Sequence, residues 1–157
     1  MTNEQTVKNL LAIQFTAKHV DATVSHYLEA VKEYQRGNWE ISLLKSGKFI
    51  EAVAKALHIH CGQTLPPARQ FSAGTILRAL SQLSGFDDVV RILIPRAGTF
   101  VYDIVSNRGA RHDPDQIDPN KMDATVVISV ISWMLAEMVR FAAQNSPTPG
   151  ETSAIVS

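Results

Sequence analysis

The stretch Ser106-Asn107-Arg108-Gly109-Ala110-Arg111-His112-Asp113 gathers more reactive chemistry than any other part of the chain. Arg108 and Arg111 each carry a planar fork of donors that can pair with a phosphate. His112 can move a proton near neutral pH. Asn107 and Asp113 add an amide and a carboxylate to the same stretch. Together these groups suit phosphodiester chemistry. The plainer reading is a solvated connector whose arginines pair with Asp113, Asp115 and Asp118, and composition alone favours it.

Other constellations are weaker. His58, His60 and Cys61 crowd one helix end, but they lack a fourth ligand and an accepted zinc spacing. Two residues apart on a helix, the histidines point to different faces. Asp113, Asp115 and Asp118 resemble a calcium loop only faintly, because Pro114 intrudes and the turn glycine is missing. Trp133, Met134 and Met138 read as core rather than as a ligand wall. Glu137 and Arg140 are spaced for a surface ion pair. The chain has no phosphate-cradling glycine loop, no serine-triad signature and no helical zinc-protease motif, which leaves a conventional metabolic enzyme little support. No metal and no cofactor are expected.

The elements that must position the connector read as helices. Val7, Leu10, Leu11 and Phe15 recur at helical spacing from about Asn3 to Ala17. A second helix is expected from about Asp21 to Gln35, with Val24, Tyr27, Leu28, Val31 and Tyr34 as its stripe and Arg36-Gly37 as its stop. Asn38 is placed to cap a third helix that reaches Cys61, carries Ile41, Leu44, Val53 and Leu57 inward, and ends at Gly62. Gly47 could kink it. Thr64-Leu65-Pro66-Pro67 is a loop. Ser72 can cap a short helix bearing Ile76, Leu77, Leu80 and Leu83. From Phe86 to Ser106 the pattern is helical but interrupted by Pro95 and Gly98, as one kinked helix or two short ones. After the connector, Asp118 as N-cap and Pro119 at the first helical position open a last helix to about Gln144. That helix is apolar nearly all round, through Val126, Ile128, Val130, Ile131, Trp133, Met134 and Met138, and its length suits the spine of a bundle. No strand alternation and no internal repeat are present. The expected fold is an all-α antiparallel bundle of five or six helices with a long, central C-terminal helix. It forms one domain over 1–145, followed by a disordered tail at 146–157 rich in Ser, Thr, Pro and Gly.

Composition agrees. The chain has 157 residues, 45% hydrophobic and 19% charged, which suits one globular domain with a real core. Lys plus Arg number 15 and Asp plus Glu number 15, so no bulk field draws it to nucleic acid or to an anionic membrane. The one cysteine, Cys61, allows no intrachain disulfide and fits a reducing compartment. Met1 to Asn9 is polar and carries Glu4, unlike a secretory signal. The longest uncharged apolar run, Ala124 to Ala136, falls short of the roughly 20 residues of a membrane span. A cytoplasmic protein with no membrane contact is the expectation.

Three segments carry a family resemblance. The first is Tyr34-Gln35-Arg36-Gly37-Asn38-Trp39-Glu40 with Lys45-Ser46-Gly47-Lys48-Phe49-Ile50-Glu51-Ala52-Val53. The second is Ile94-Pro95-Arg96, Tyr102-Asp103-Ile104 and Asn107-Arg108-Gly109-Ala110-Arg111-His112. The third is Asp118-Pro119-Asn120-Lys121-Met122-Asp123-Ala124 leading to Ser132-Trp133-Met134-Leu135-Ala136-Glu137. Over about Asn38 to Arg140 the chain resembles prokaryotic HEPN-like proteins of the abortive-infection type. The resemblance implies a helical bundle, often a homodimer, used in toxin–antitoxin or phage-defence systems. Many such proteins are metal-independent ribonucleases. Their hallmark is an Arg followed, after four to six intervening residues, by a His. The Arg steadies charge on the phosphate while the His moves a proton as the ribose 2′-hydroxyl attacks.

His112 matches the motif histidine, but Arg108 stands only three residues before it. Four, five and six intervening residues lead to Asn107, Ser106 and Val105, none of which is cationic. Three readings stay open. A domain with weakened or lost catalysis would bind RNA or a protein partner. An active ribonuclease would use His112 as acid or base and Arg108 as clamp, with Arg111, Asn107 and Asp113 on the RNA. A plain interaction bundle would use none of them.

Overall fold

The computed structural model describes residues 2–108 and 119–145. The tail at 146–157 and most of the connector lie outside these residues. Among them the protein is all-α, with six helices and no strand: α1 Asn3–Leu11, α2 Ala17–Gln35, α3 Trp39–His60, α4 Ala73–Ala79, α5 Ile94–Arg108 and α6 Lys121–Gln144.

The helix ends follow local chemistry. α2 and α3 both finish in a Schellman motif. Gly37 at φ 77° and Gly62 at φ 78° take the left-handed position. Beyond them, the Asn38 N–H donates to the Glu33 carbonyl at 2.9 Å, and the Gln63 N–H to that of His58 at 3.1 Å. Ser72 caps α4, its hydroxyl accepting from the Thr75 N–H at 3.3 Å. Asn38 does not cap α3 as expected. Its amide instead donates to Glu33 Oε2 at 2.7 Å, which ties the turn to the end of α2. α1 stops at Leu11, short of the expected Ala17, where the Ile13 and Gln14 N–H groups tighten onto Leu10 and Leu11 carbonyls. α2 begins at Ala17 rather than Asp21, which brings Val20 into the core one turn before Val24. α6 starts at Lys121, two residues later than the sequence suggests. Asn120, not Asp118, is its N-cap, and Asn120 and Asp123 form a reciprocal capping box that leaves Pro119 outside the helix.

Phe86 to Ser106 resolves as one path. A π-helical turn, Val89–Leu93, runs directly into α5. There the Ile94 N–H reaches back to the Val89 carbonyl. The wide turn precedes Pro95, which has no N–H to place in the ladder.

α6 touches α1, α2, α3 and α5, and it shares the centre of the bundle with α3, which touches α2, α4, α5 and α6. Phe49, Leu57, Leu11, Leu77, Ile131, Met134 and Met138 fill the core. Close approach is built from small residues. The Ser42 hydroxyl donates to the Ala30 carbonyl at 2.9 Å where α2 and α3 cross. At Gly98 an added Cβ would sit 3.1 Å from Leu77 Cδ1 and 3.3 Å from Met134 Cε, so α4, α5 and α6 meet there. Because these small side chains take the inner positions, Leu28, Ile41 and Leu44 lie outward, contrary to the sequence reading.

By length and mean hydropathy α6 could cross a membrane, despite Asp123 and Glu137. In the bundle its Ala124, Val127, Ile131, Met134, Met138 and Ala142 are buried against the other helices.

Candidate functional site

Arg108 is the last residue of α5 and stands beside the start of α6. Its Nε lies 4.0 Å from Asp123 Oδ2, the carboxylate that also closes the capping box of α6. The carboxylate therefore serves the first turn of α6 and the guanidinium at the end of α5 together. The Arg108 side chain is 37% exposed, and among the described residues Asp123 is its one ionic partner. Asn107 is turned back onto its own helix, with Nδ2 donating to the Asp103 carbonyl at 2.7 Å. Phe100, Asp103, Ile104, Asn107 and Arg108 line a shallow cleft of about 330 Å³. His112, Arg111 and Asp113 lie outside the described residues.

Val105 explains one gap in the motif. It is 6% exposed and faces α3. A Cβ on Gly47 would come within 3.1 Å of its Cγ1. The residue separated from His112 by six intervening residues thus sits in the core. A guanidinium there would meet apolar side chains, where an unpaired charge is costly.

The α5–α6 surface next to this corner is apolar. The end of the π-helical turn exposes Leu93, α5 exposes Phe100, and α6 exposes Met122, Val126 and Trp133. Trp133 was expected in the core, yet it is 41% exposed, while its neighbours Met134 and Met138 are buried as expected. The spacings of four and seven put each set on one flank of its helix. α5 and α6 run antiparallel, since Arg108 pairs with Asp123 at one end and Gly98 meets Met134 farther along. Partly buried Ala97, Ile104 and Val130 join both flanks to the core.

A second polar constellation, missed in the sequence, lies between α2 and α3. Lys18, His19, Ala22 and His26 of α2 face Lys48, Glu51, Ala52 and Lys55 of α3 across a groove of about 740 Å³. Leu65, Pro66, Ala68 and Phe71 close one end. The signal was present as Lys and His at spacings of seven, His19 with His26 and Lys48 with Lys55, but only the antiparallel pairing of α2 and α3 brings the two rows together. Burial, then the positive charges of Lys55 and Lys18, pushes the His19 pKa below its usual value. His26 is also lowered, chiefly by burial and against the pull of Glu29. His19 Nδ1 and His26 Nδ1 are both shielded from solvent and unbonded among the described residues. Glu51 accepts from the Tyr102 hydroxyl at 3.4 Å, and burial raises the Tyr102 pKa further than that carboxylate does.

The remaining polar groups are structural. His58 contacts the Thr64 carbonyl at 3.1 Å and His60 the Gln14 carbonyl at 3.0 Å, so the two rings part as their spacing requires. His60 packs among Phe15, Phe86 and Phe141. Burial raises the Cys61 thiol pKa. No three His, Cys, Asp or Glu side chains converge as a metal site among the described residues. Arg140 Nη2 meets Glu137 Oε2 at 2.6 Å, the expected pair, with Glu137 only 8% exposed. Arg78, Arg91 and Arg96 border a 270 Å³ pocket, but Arg91 is committed to the Ser81 carbonyl and to Asp88.

Comparison with protein-family models, curated proteins and solved structures returned no match.

Proposed function

We propose that this chain is a HEPN-like domain of a prokaryotic defence or stress-response system that works by binding a second copy of itself, with ribonuclease activity weakened or lost. The observation that carries the loss is Val105, buried against Gly47 at the motif position farthest from His112. Losing a preorganised cation from a phosphoryl centre removes several kcal/mol of transition-state stabilisation, by analogy with a lost oxyanion donor at about 3 kcal/mol. Self-association is supported by the exposed Leu93, Phe100, Met122, Val126 and Trp133 on adjoining helices. Such patches on a soluble surface mark interaction sites. Zero net charge means that two copies do not repel each other.

The second reading is an active ribonuclease. Arg108 favours it, since it stays partly exposed at the root of the connector. One pair of experiments separates the two. Purified protein in chelator is offered structured and unstructured RNA beside His112→Ala and Arg108→Ala. Light scattering then gives the mass of wild type, Phe100→Glu and Trp133→Glu. The expected outcome is no cleavage, a wild-type dimer and monomeric variants. Cleavage that disappears with His112→Ala would reinstate catalysis. A monomeric wild type at high concentration would remove the dimer.

A further inference from the structure

The α2–α3 groove is independent of the α5–α6 surface and shares no helix with it. Its charge is lopsided. Lys18, Lys48 and Lys55 line it against the single carboxylate of Glu51. None of the three lysines forms an ion pair among the described residues, whereas nearby Lys45 is held by Glu29 at 2.8 Å. In a protein with equal numbers of cations and anions, three unpaired lysines around one cavity are a local excess. Cationic walls in a concave site concentrate anions.

The histidines strengthen the case. In each ring the nitrogen turned into the protein, Nδ1, has no partner. A neutral ring with its proton on Nε2 avoids burying an unpaired N–H, so Nε2 is the nitrogen left to donate. Seven residues apart, His19 and His26 stand on one face of α2, two turns from each other. Lys48 and Lys55 repeat that spacing on α3. The donors therefore form two rows along a groove about ten ångströms long, by the rise of 1.5 Å per residue. A single inorganic phosphate spans less than that. A chain of linked phosphates fits it. The end wall of Leu65, Pro66 and Phe71 is apolar, and Lys55 Nζ lies 4.8 Å from the Phe71 ring centre.

We propose that this groove binds an oligophosphate anion, held by Lys18, Lys48 and Lys55 and by donors from His19 and His26. The anion's source is either free oligophosphate or one carried on an organic group that uses the Leu65–Pro66–Phe71 wall. Binding brings protons with it. The groups facing His19 are Lys18 and Lys55, and those facing His26 are Lys45, Lys48, Glu29 and Glu51. An anion in the groove offsets the lysines that oppose histidine protonation, so affinity rises as pH falls through the histidine range.

The test is calorimetric titration of the full chain with sodium tripolyphosphate and, separately, ATP, at pH 8 and pH 6. Variants are Lys48→Gln, Lys55→Gln and the pair His19→Gln with His26→Gln, with Lys121→Gln and Arg78→Gln as controls. All changes are at exposed or half-exposed positions, and melting curves confirm folding. Each groove lysine is expected to cost about tenfold or more in affinity. The gain at pH 6 should exceed that of the histidine pair variant by several fold. The controls should match wild type. Equal affinity for tripolyphosphate and ATP assigns a free anion, and tighter ATP binding assigns one borne on an apolar group. No binding by folded wild type, or loss in Arg78→Gln but not Lys55→Gln, overturns the assignment. So does a single-stranded RNA that binds through the same lysines far more tightly than tripolyphosphate, because the groove would then serve nucleic acid.

Discussion

Gly47→Ala tests whether position 105 belongs to the core, and so whether the motif arginine could ever have stood there. Gly47 is an ordinary helical residue, since its φ is not positive, and alanine would gain about 1 kcal/mol of helix propensity in α3. Against that, the new Cβ would lie 3.1 Å from Val105 Cγ1, inside the usual carbon–carbon contact. Val105 is β-branched and helical, so it holds essentially one rotamer and cannot swing aside. Overpacking of this kind costs about 1–3 kcal/mol. The net change is then a loss of about 0–2 kcal/mol. Val105→Ala alone should cost about 2 kcal/mol, for two methyl groups and a partial cavity. In that background the obstructing Cγ1 is gone, so Gly47→Ala should now stabilise by about 1 kcal/mol. The coupling energy is therefore about 1–3 kcal/mol. Urea unfolding followed by far-ultraviolet circular dichroism on the four proteins measures it. If Gly47→Ala stabilises wild type as much as it stabilises Val105→Ala, the side chain at 105 is not packed on α3. An arginine would then fit there, and the proposed loss of catalysis would need another cause.

Two further outcomes follow from local chemistry. Asn120→Ala removes the side-chain half of the capping box at the start of α6, the Asp123 N–H to Asn120 Oδ1 at 3.0 Å, and leaves only the 3.3 Å bond from the backbone N–H of residue 120 to Asp123 Oδ2. It should cost about 1 kcal/mol, read as a fall of about 2–4 °C in Tm for a domain of this size, and an unchanged Tm would mean that the cap is not formed. The histidines make stability depend on pH. His19 and His26 have folded pKa values below the unfolded value of 6.5, so the unfolded chain binds more protons in that range. Their contribution is intact above pH 6.5 and is lost as pH falls below it toward the folded values. Between pH 7.5 and 5.5 the urea midpoint should fall more in wild type than in the His19→Gln, His26→Gln pair variant, and equal falls would mean that neither ring is protected.

Helix number and type were legible because apolar spacing and punctuation agree. Gly37 and Gly62 stop helices as glycines in the left-handed region do, and Ser72 caps α4 as its type predicts. Boundaries set by tertiary contact were not legible. Asp118-Pro119 is a good local start signal, yet Asn120 with Asp123 offers a two-way cap that starts the helix later. Inward and outward faces failed where small residues govern. Ser42, Ser46 and Ala30 are buried, and Ile41 and Leu44 are pushed to the surface, because a close helix crossing needs small side chains. Of the candidate site, sequence located Arg108 and Asn107 but not their partners, since Asp123 comes from another helix and the Asp103 carbonyl is backbone. The α2–α3 groove was invisible for the same reason. Its two rows belong to different helices, and each row alone looks like a solvated face.

The two surfaces ask different things of the same bundle. Self-association through α5 and α6 needs apolar area and no net repulsion, which a neutral chain provides. Anion capture between α2 and α3 needs local positive charge, which a neutral chain can supply only by placing its acids elsewhere. Glu29 and Asp123 show where some of them go. One pairs with Lys45 at the groove's edge, and the other faces Arg108 at the α5–α6 corner. α3 lies between the two surfaces, touching α2 on one side and α5 on the other, and Gly47 is where it meets Val105. A shift of α3 toward α2 that closed the groove around an anion would therefore pull first on the Gly47–Val105 contact. Opening it would leave a void in a close-packed core, so α5 would follow α3 and the bundle would transmit the shift. Oligophosphate that alters the dimer equilibrium of wild type, and alters it less in Val105→Ala, is the result this packing requires if the two surfaces communicate.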